Sequence, residues 1–236
     1  MAFVNKSRSS ALGLLGATAL VATVLFGAPA SAAVPLSDEE EQAIRAVLVR
    51  WDVPAEQQDA LLAKVVAGEP WDVYGEGVPV STESRVVDGC EYSIERFADG
   101  SVAAVGVEIP EEVPAGVASP MSIVGCTTST GSGYAARTGC QVDAWIGTVF
   151  IAALNVGYTH VQGGYDYITS TGYGAQNCIY PTSCTSPVRV AYKQHENASG
   201  NAYARWQSDV TGGVLGSWNV WVQLNVGGDT AWSTNS

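Results

Sequence analysis

Trp218-Asn219-Val220-Trp221-Val222-Gln223-Leu224-Asn225-Val226 alternates between two kinds of side chain, and this stretch decides the fold. Val220, Val222, Leu224 and Val226 occupy every second position, with Asn219, Trp221, Gln223 and Asn225 between them. A period of two belongs to a β-strand with one buried face. The aliphatic side must pack on a core. The opposite side is polar, uncharged and centred on one large indole.

Working outward, residues 121–236 contain further β-branched and aromatic runs separated by Gly, Asn, Ser and Thr clusters. Expected strands cover 121–126, 141–153, 158–162, 165–169, 188–195, 202–209 and 218–226. Short strands with turn signals at this spacing predict a sandwich or barrel. No helical segment of useful length lies between them, which argues against parallel βαβ units. About 115 residues suffice for an independent core.

The preceding region has a different character. Of 23 acidic residues, 18 fall between Asp38 and Glu112. Ser37-Asp38-Glu39-Glu40 matches a helix capping box, followed by Ile44, Val47 and Leu48 at helical spacing. Asp52-Val53-Pro54 stops that helix, and Leu61, Leu62, Val65 and Val66 form the apolar face of a second one ending at Gly68. From Arg85 the period changes to two β-type runs, one through Phe97 and one from Val102 to Ile109, joined across Asp99-Gly100. Pro110, Pro114, Gly116 and Pro120 mark a linker. The expected fold is thus mainly β: an acidic helical hairpin (33–72), a β-hairpin region (73–112), a Pro/Gly linker (113–120) and a C-terminal antiparallel β-sandwich (121–236).

Residues 1–32 carry the three parts of a secretory signal: Lys6 and Arg8, an apolar run from Ala11 to Phe26, and Ala30-Ser31-Ala32. That run is about 16 residues long, short of the roughly 20 that cross a bilayer. The sequence therefore predicts a secreted chain with no transmembrane segment after cleavage. Loss of Lys6 and Arg8 leaves nine basic side chains against 23 acidic ones, a net charge of −14. Nucleic acid is excluded as a partner on that balance.

Export permits disulfides. Five cysteines allow many pairings, and proximity favours Cys126–Cys140 and Cys178–Cys184, leaving Cys90 over. A metal site is not expected, since no Cys-x-x-Cys occurs and the histidines are only His160 and His195. No cofactor is expected either, because Gly227-Gly228-Asp229 follows a strand but opens no helix.

Four stretches resemble a family of secreted, Gram-positive-type bacterial β-rich proteins of unassigned function: Ala60-Leu61-Leu62-Ala63-Lys64, Gly68-Glu69-Pro70-Trp71-Asp72, Phe97-Ala98-Asp99-Gly100-Ser101 and Trp221-Val222-Gln223-Leu224-Asn225. The resemblance implies export and a β-rich second half. It carries no catalytic motif and lends no activity.

Catalytic constellations are scarce. No Gly-x-Ser-x-Gly elbow occurs. Asp143, Asp166, Glu196, Asp209 and Asp229 are the only acids after Glu112, and no spacing among them suggests a glycosidase pair. Adjacent His195 and Glu196 point to opposite faces if they lie in a strand. The preferred expectation is a non-catalytic extracellular binding protein for a neutral glycan or a cell-surface protein partner. Trp221, Gln223 and Asn225 would hold the ligand, extended by Tyr165 and Tyr167. Two alternatives remain: a hydrolase using His160 with Asp166, and a toxin or antimicrobial domain held quiet by an acidic pro-region. The acidic front also reads as a plain solvated surface, or as a cation-binding or wall-associated segment.

Overall fold

Glu40 and Ser37 close the expected capping box. Ser37 Oγ accepts from the Glu40 amide at 3.3 Å, and the Glu40 carboxylate accepts from the Ser37 amide at 2.8 Å. This starts α1 (Asp38–Arg50), and the left-handed Gly68 ends α2 (Ala55–Ala67). The computed structural model describes residues 35–75, 77–112 and 125–236. The signal segment 1–32 and the linker 113–120 lie outside the described residues. Among those described, no helix is long and apolar enough to cross a membrane.

Thirteen strands follow among the described residues: β1 (Ser81–Val87), β2 (Cys90–Arg96), β3 (Val102–Glu108), β4 (Glu111–Glu112), β5 (Thr127–Gly131), β6 (Tyr134–Ile146), β7 (Val149–Val161), β8 (Tyr167–Cys178), β9 (Ser183–Cys184), β10 (Val188–Lys193), β11 (Ala202–Thr211), β12 (Ser217–Gly227) and β13 (Thr230–Asn235). They build two sheets, as the period-two patterning predicts. Sheet A contains β1 to β8, with β6 at its centre: β3 and β5 pair along one edge of β6 and β7 along the other. Sheet B runs β10-β11-β12-β13, with β9 beside β11. All pairings are antiparallel except the two-residue ladder of β4 with β5.

The sheets pack face to face, β12 over β6 and β7, β11 over β8, and β13 over β3. Val220, Val222, Leu224 and Val226 meet Val142, Ala144, Ile151 and Ala153 in a shared core. The helical hairpin lies on the other face of sheet A. Trp51 meets Tyr92 edge-on at 5.1 Å and Trp145 at 6.2 Å. The order is helices, sheet A, sheet B.

Several expected boundaries shift. The run read as one strand through Phe97 is two, because Asp88 (φ 49°) and Gly89 (φ 79°) reverse the chain between Val87 and Cys90. Two consecutive positive φ values make the tight turn that matches strand twist. The β-hairpin region is therefore a three-stranded meander. Likewise 141–153 breaks at Gly147 (φ 58°) into β6 and β7. Of the expected strand 121–126, only Gly125 and Cys126 are described, and pairing starts at Thr127. Of the segments 158–162 and 165–169, residues 158–161 end β7 and 167–169 open β8, with Gln162, Tyr165 and Asp166 in the loop between them. A final strand, β13, follows the positive-φ pair Gly228-Asp229.

The meander and the C-terminal β region also share sheet A, through Ala103↔Ile146 to Val107↔Val142, where the sequence suggests separate units. Cross-strand register of this kind lies beyond local sequence. The structure pairs Cys126 with Cys140 and Cys178 with Cys184, and leaves Cys90 as a buried free thiol.

Candidate functional site

The alternation that starts the argument also builds the site. In β12 the aliphatic set turns inward, and Asn219, Trp221, Gln223 and Asn225 turn outward. Register with the neighbouring strands sets these side chains into rows across sheet B. One row reads Lys193, Tyr203, Asn225 and Trp232; the next reads Ala191, Arg205, Gln223 and Thr234. Strands stand about 4.8 Å apart, so each row spans roughly 14 Å.

The outward side chains hold one another. Arg205 Nε donates to Gln223 Oε1 at 2.8 Å, Gln223 Nε2 to Asn225 Oδ1 at 2.6 Å, and Asn225 Nδ2 to Thr234 Oγ1 at 3.3 Å. The Arg205 guanidinium lies 4.0 Å from the centroid of the Trp221 ring. At that distance cation and ring attract. The face read from β12 alone as uncharged therefore carries a cation delivered by β11. Trp221 is half-buried beneath it, whereas Trp232, at 38 % exposure, presents its ring to solvent.

Trp221, Gln223 and Asn225 come together as expected; Tyr165 and Tyr167 do not join them. Tyr167 opens β8 in sheet A and packs its ring on His195 at 5.5 Å, and Tyr165 precedes it in the β7–β8 loop, 58 % exposed. Sequence reading missed Arg205, Tyr203, Thr234 and Trp232. The alternation of Ala202, Ala204, Trp206 and Ser208 with Tyr203, Arg205 and Gln207 does mark an outward set in β11. Only the register places it beside Gln223.

His160 and Asp166 do pair, Nδ1 to Oδ2 at 3.0 Å. The Asp166 carboxylate also accepts from the amides of Val161 (2.8 Å) and Asp229 (2.9 Å), and its own amide donates to Glu196. Glu196 accepts in turn from Gly228 at 3.2 Å. Asp166 and Glu196 thus tie the β7–β8 loop of sheet A to the β12–β13 turn of sheet B. No serine, threonine or cysteine makes a hydrogen bond to His160 among the described residues.

A second polar cluster lies under the helical hairpin. Asp143 is fully buried, accepts from Tyr92 Oη at 2.9 Å and from Gln141 Nε2, and keeps its Oδ1 without a partner. Burial pushes its carboxyl up to about 6, against the bonds from Gln141 and Tyr92 and the charge of Arg50. Burial, then the charges of Asp143 and Glu108, pushes the Cys90 thiol up to about 12, so it stays protonated and unreactive at neutral pH. No group of three or more His, Cys, Asp or Glu side chains among the described residues is arranged to hold a metal.

No family model matches this chain, and no curated protein or solved structure matches it.

Proposed function

We propose that this chain is an exported, non-catalytic binding protein whose outer sheet B face engages an extracellular saccharide. One observation carries the reading: the helical hairpin covers Tyr92 and Trp145 on sheet A, while on sheet B the side chains of Tyr203, Arg205, Trp221, Gln223 and Thr234 stay partly exposed and Trp232 exposed. Saccharides combine hydroxyls with apolar ring faces, and a flat surface of amides and aromatics suits both. Export rests on the three-part signal in residues 1–32, and two disulfides agree with an oxidising destination.

The test is retention on immobilised polysaccharides and cell-wall fractions, comparing the native chain with Trp221→Ala and Asn225→Ala. The expected result is retention of the native chain and loss in both variants. Equal retention of all three removes this face from consideration.

The hydrolase alternative is favoured by the oriented His160 imidazole alone. Turnover of a polysaccharide that disappears in His160→Ala would put it first. The pro-region alternative has less support, because β3 lies in the middle of sheet A and the Glu108 carboxylate accepts from the Cys126 and Gln141 amides, both at 2.9 Å.

A further inference from the structure

The basic side chains divide in a way that composition does not foretell. Before the linker, Arg45, Arg50, Lys64, Arg85 and Arg96 are each ion-paired: with Glu41 and Asp59, with Asp88, with Asp72 and Asp99, with Asp52, and with Glu83. On the outer face of sheet B, Lys193 and Arg205 have only neutral partners. Lys193 Nζ donates to Asn197 Oδ1 at 2.9 Å and to the Gly200 carbonyl at 2.8 Å. Arg205 uses Nε on Gln223, and among the described residues nothing hydrogen-bonds to its Nη1 or Nη2.

After the linker none of the four basic side chains has a carboxylate partner among the described residues: Arg137 in β6 leaves Nη1 buried without a hydrogen bond, Arg189 donates to Thr171 Oγ1 at 2.7 Å, and Lys193 and Arg205 are the two that share the outer face of sheet B. The Ala191↔Arg205 and Lys193↔Tyr203 register makes residues 193 and 205 diagonal positions, about 7–8 Å apart on the sheet, with the Lys193 ammonium turned toward Asn197 and Gly200. Arg205 is also held in place. The Trp221 ring centroid lies 4.0 Å from its guanidinium carbon and Gln223 fixes Nε, so the two Nη groups form a pre-oriented fork of the kind that grips a carboxylate bidentately. Tyr203 and Trp232 flank the pair within the Lys193 row and supply ring surfaces.

We propose that the ligand of this face is an acidic saccharide chain, with Arg205 and Lys193 taking its uronic carboxylates and Gln223 and Thr234 its hydroxyls, while the buried Asn225 braces both. This rests on the binding-face reading above and names its substrate class. The net negative charge of the protein repels a polyanion at long range, so retention of one requires a local basic patch.

The probes are polygalacturonate and uncharged dextran, immobilised and challenged with the exported chain in about 50 and about 300 mM NaCl. Retention on polygalacturonate should fall at least tenfold at the higher salt. Arg205→Gln and Lys193→Gln should each weaken it about tenfold, the scale of one charge-assisted hydrogen bond. Arg205→Lys keeps the charge without the fork, and should bind more tightly than Arg205→Gln but below native. Thermal melts of each variant identify any that fail to fold, and binding is compared only among variants that melt like native. Salt-independent retention, or retention on dextran alone that Trp221→Ala abolishes, overturns the acidic-ligand inference and leaves the face as a neutral-glycan site. Failure on both polymers and on wall fractions sinks the face altogether.

Discussion

The outer faces of the two sheets are treated oppositely by the same chain. Sheet A turns Tyr92, Trp145 and Phe150 outward and covers them with Trp51 and the helices; Arg50 beside them is ion-paired with Asp88, whereas Arg137 in β6 makes no ion pair among the described residues. Sheet B turns outward Tyr203, Arg205, Trp221, Gln223 and Asn225, leaves the first four partly exposed and Asn225 buried by its neighbours, and leaves its cations without carboxylates among the described residues. A sealed face contributes to stability. A bare face whose members are braced only by one another is available for recognition. Seven of the 18 acids of the first half pair cations and Glu40 caps α1, and all 18 contribute to the overall charge.

This contrast makes mutations on the two faces separable. The largest effect is expected from Trp51→Ala, which empties a fully buried indole site between α1 and sheet A and should cost about 3–5 kcal/mol in urea unfolding. A cost below about 1 kcal/mol would mean that the hairpin does not seal sheet A.

Next comes pH. The buried Asp143 binds its proton more tightly in the folded state, with its value pushed from 3.8 up to about 6. Its contribution is fully present below the unfolded value and is lost as pH rises through about 6. That difference corresponds to on the order of 3 kcal/mol. Asp143→Asn should flatten unfolding stability measured between about pH 4 and 7, gaining on the native chain toward the upper end. Parallel profiles for the two proteins would show that Asp143 carries no such penalty.

On sheet B the expected stability change is small. Arg205→Gln removes one partly exposed cation–ring contact, about 0.5–1 kcal/mol. A loss as large as that of Trp51→Ala would erase the distinction between the faces and make Arg205 a structural brace.

Much of this architecture is readable residue by residue. The capping box at Ser37 and Glu40, the Gly68 stop and the inward aliphatic row of β12 are local signals, and each appears in the structure at the expected place. Asp88-Gly89 is as strong a turn signal as Asp99-Gly100, but apolar residues on both sides let it be read through as one strand. Composition groups Tyr165 and Tyr167 with Trp221, but Tyr167 belongs to sheet A and packs on His195, and Tyr165 sits exposed in the β7–β8 loop. The Trp221 face read as neutral because only its own strand was in view.

The sequence by itself determined which side of each strand is buried, where the helices begin and end, and which cysteines lie close enough to pair, because all of these depend on neighbours along the chain. Only the tertiary structure decided that β3 lies beside β6, that the helices seal sheet A and not sheet B, and that Arg205 rests on Trp221. Those outcomes follow from cross-strand register, which brings residues 16 positions apart to within 4.0 Å and is fixed by the packing of the whole core.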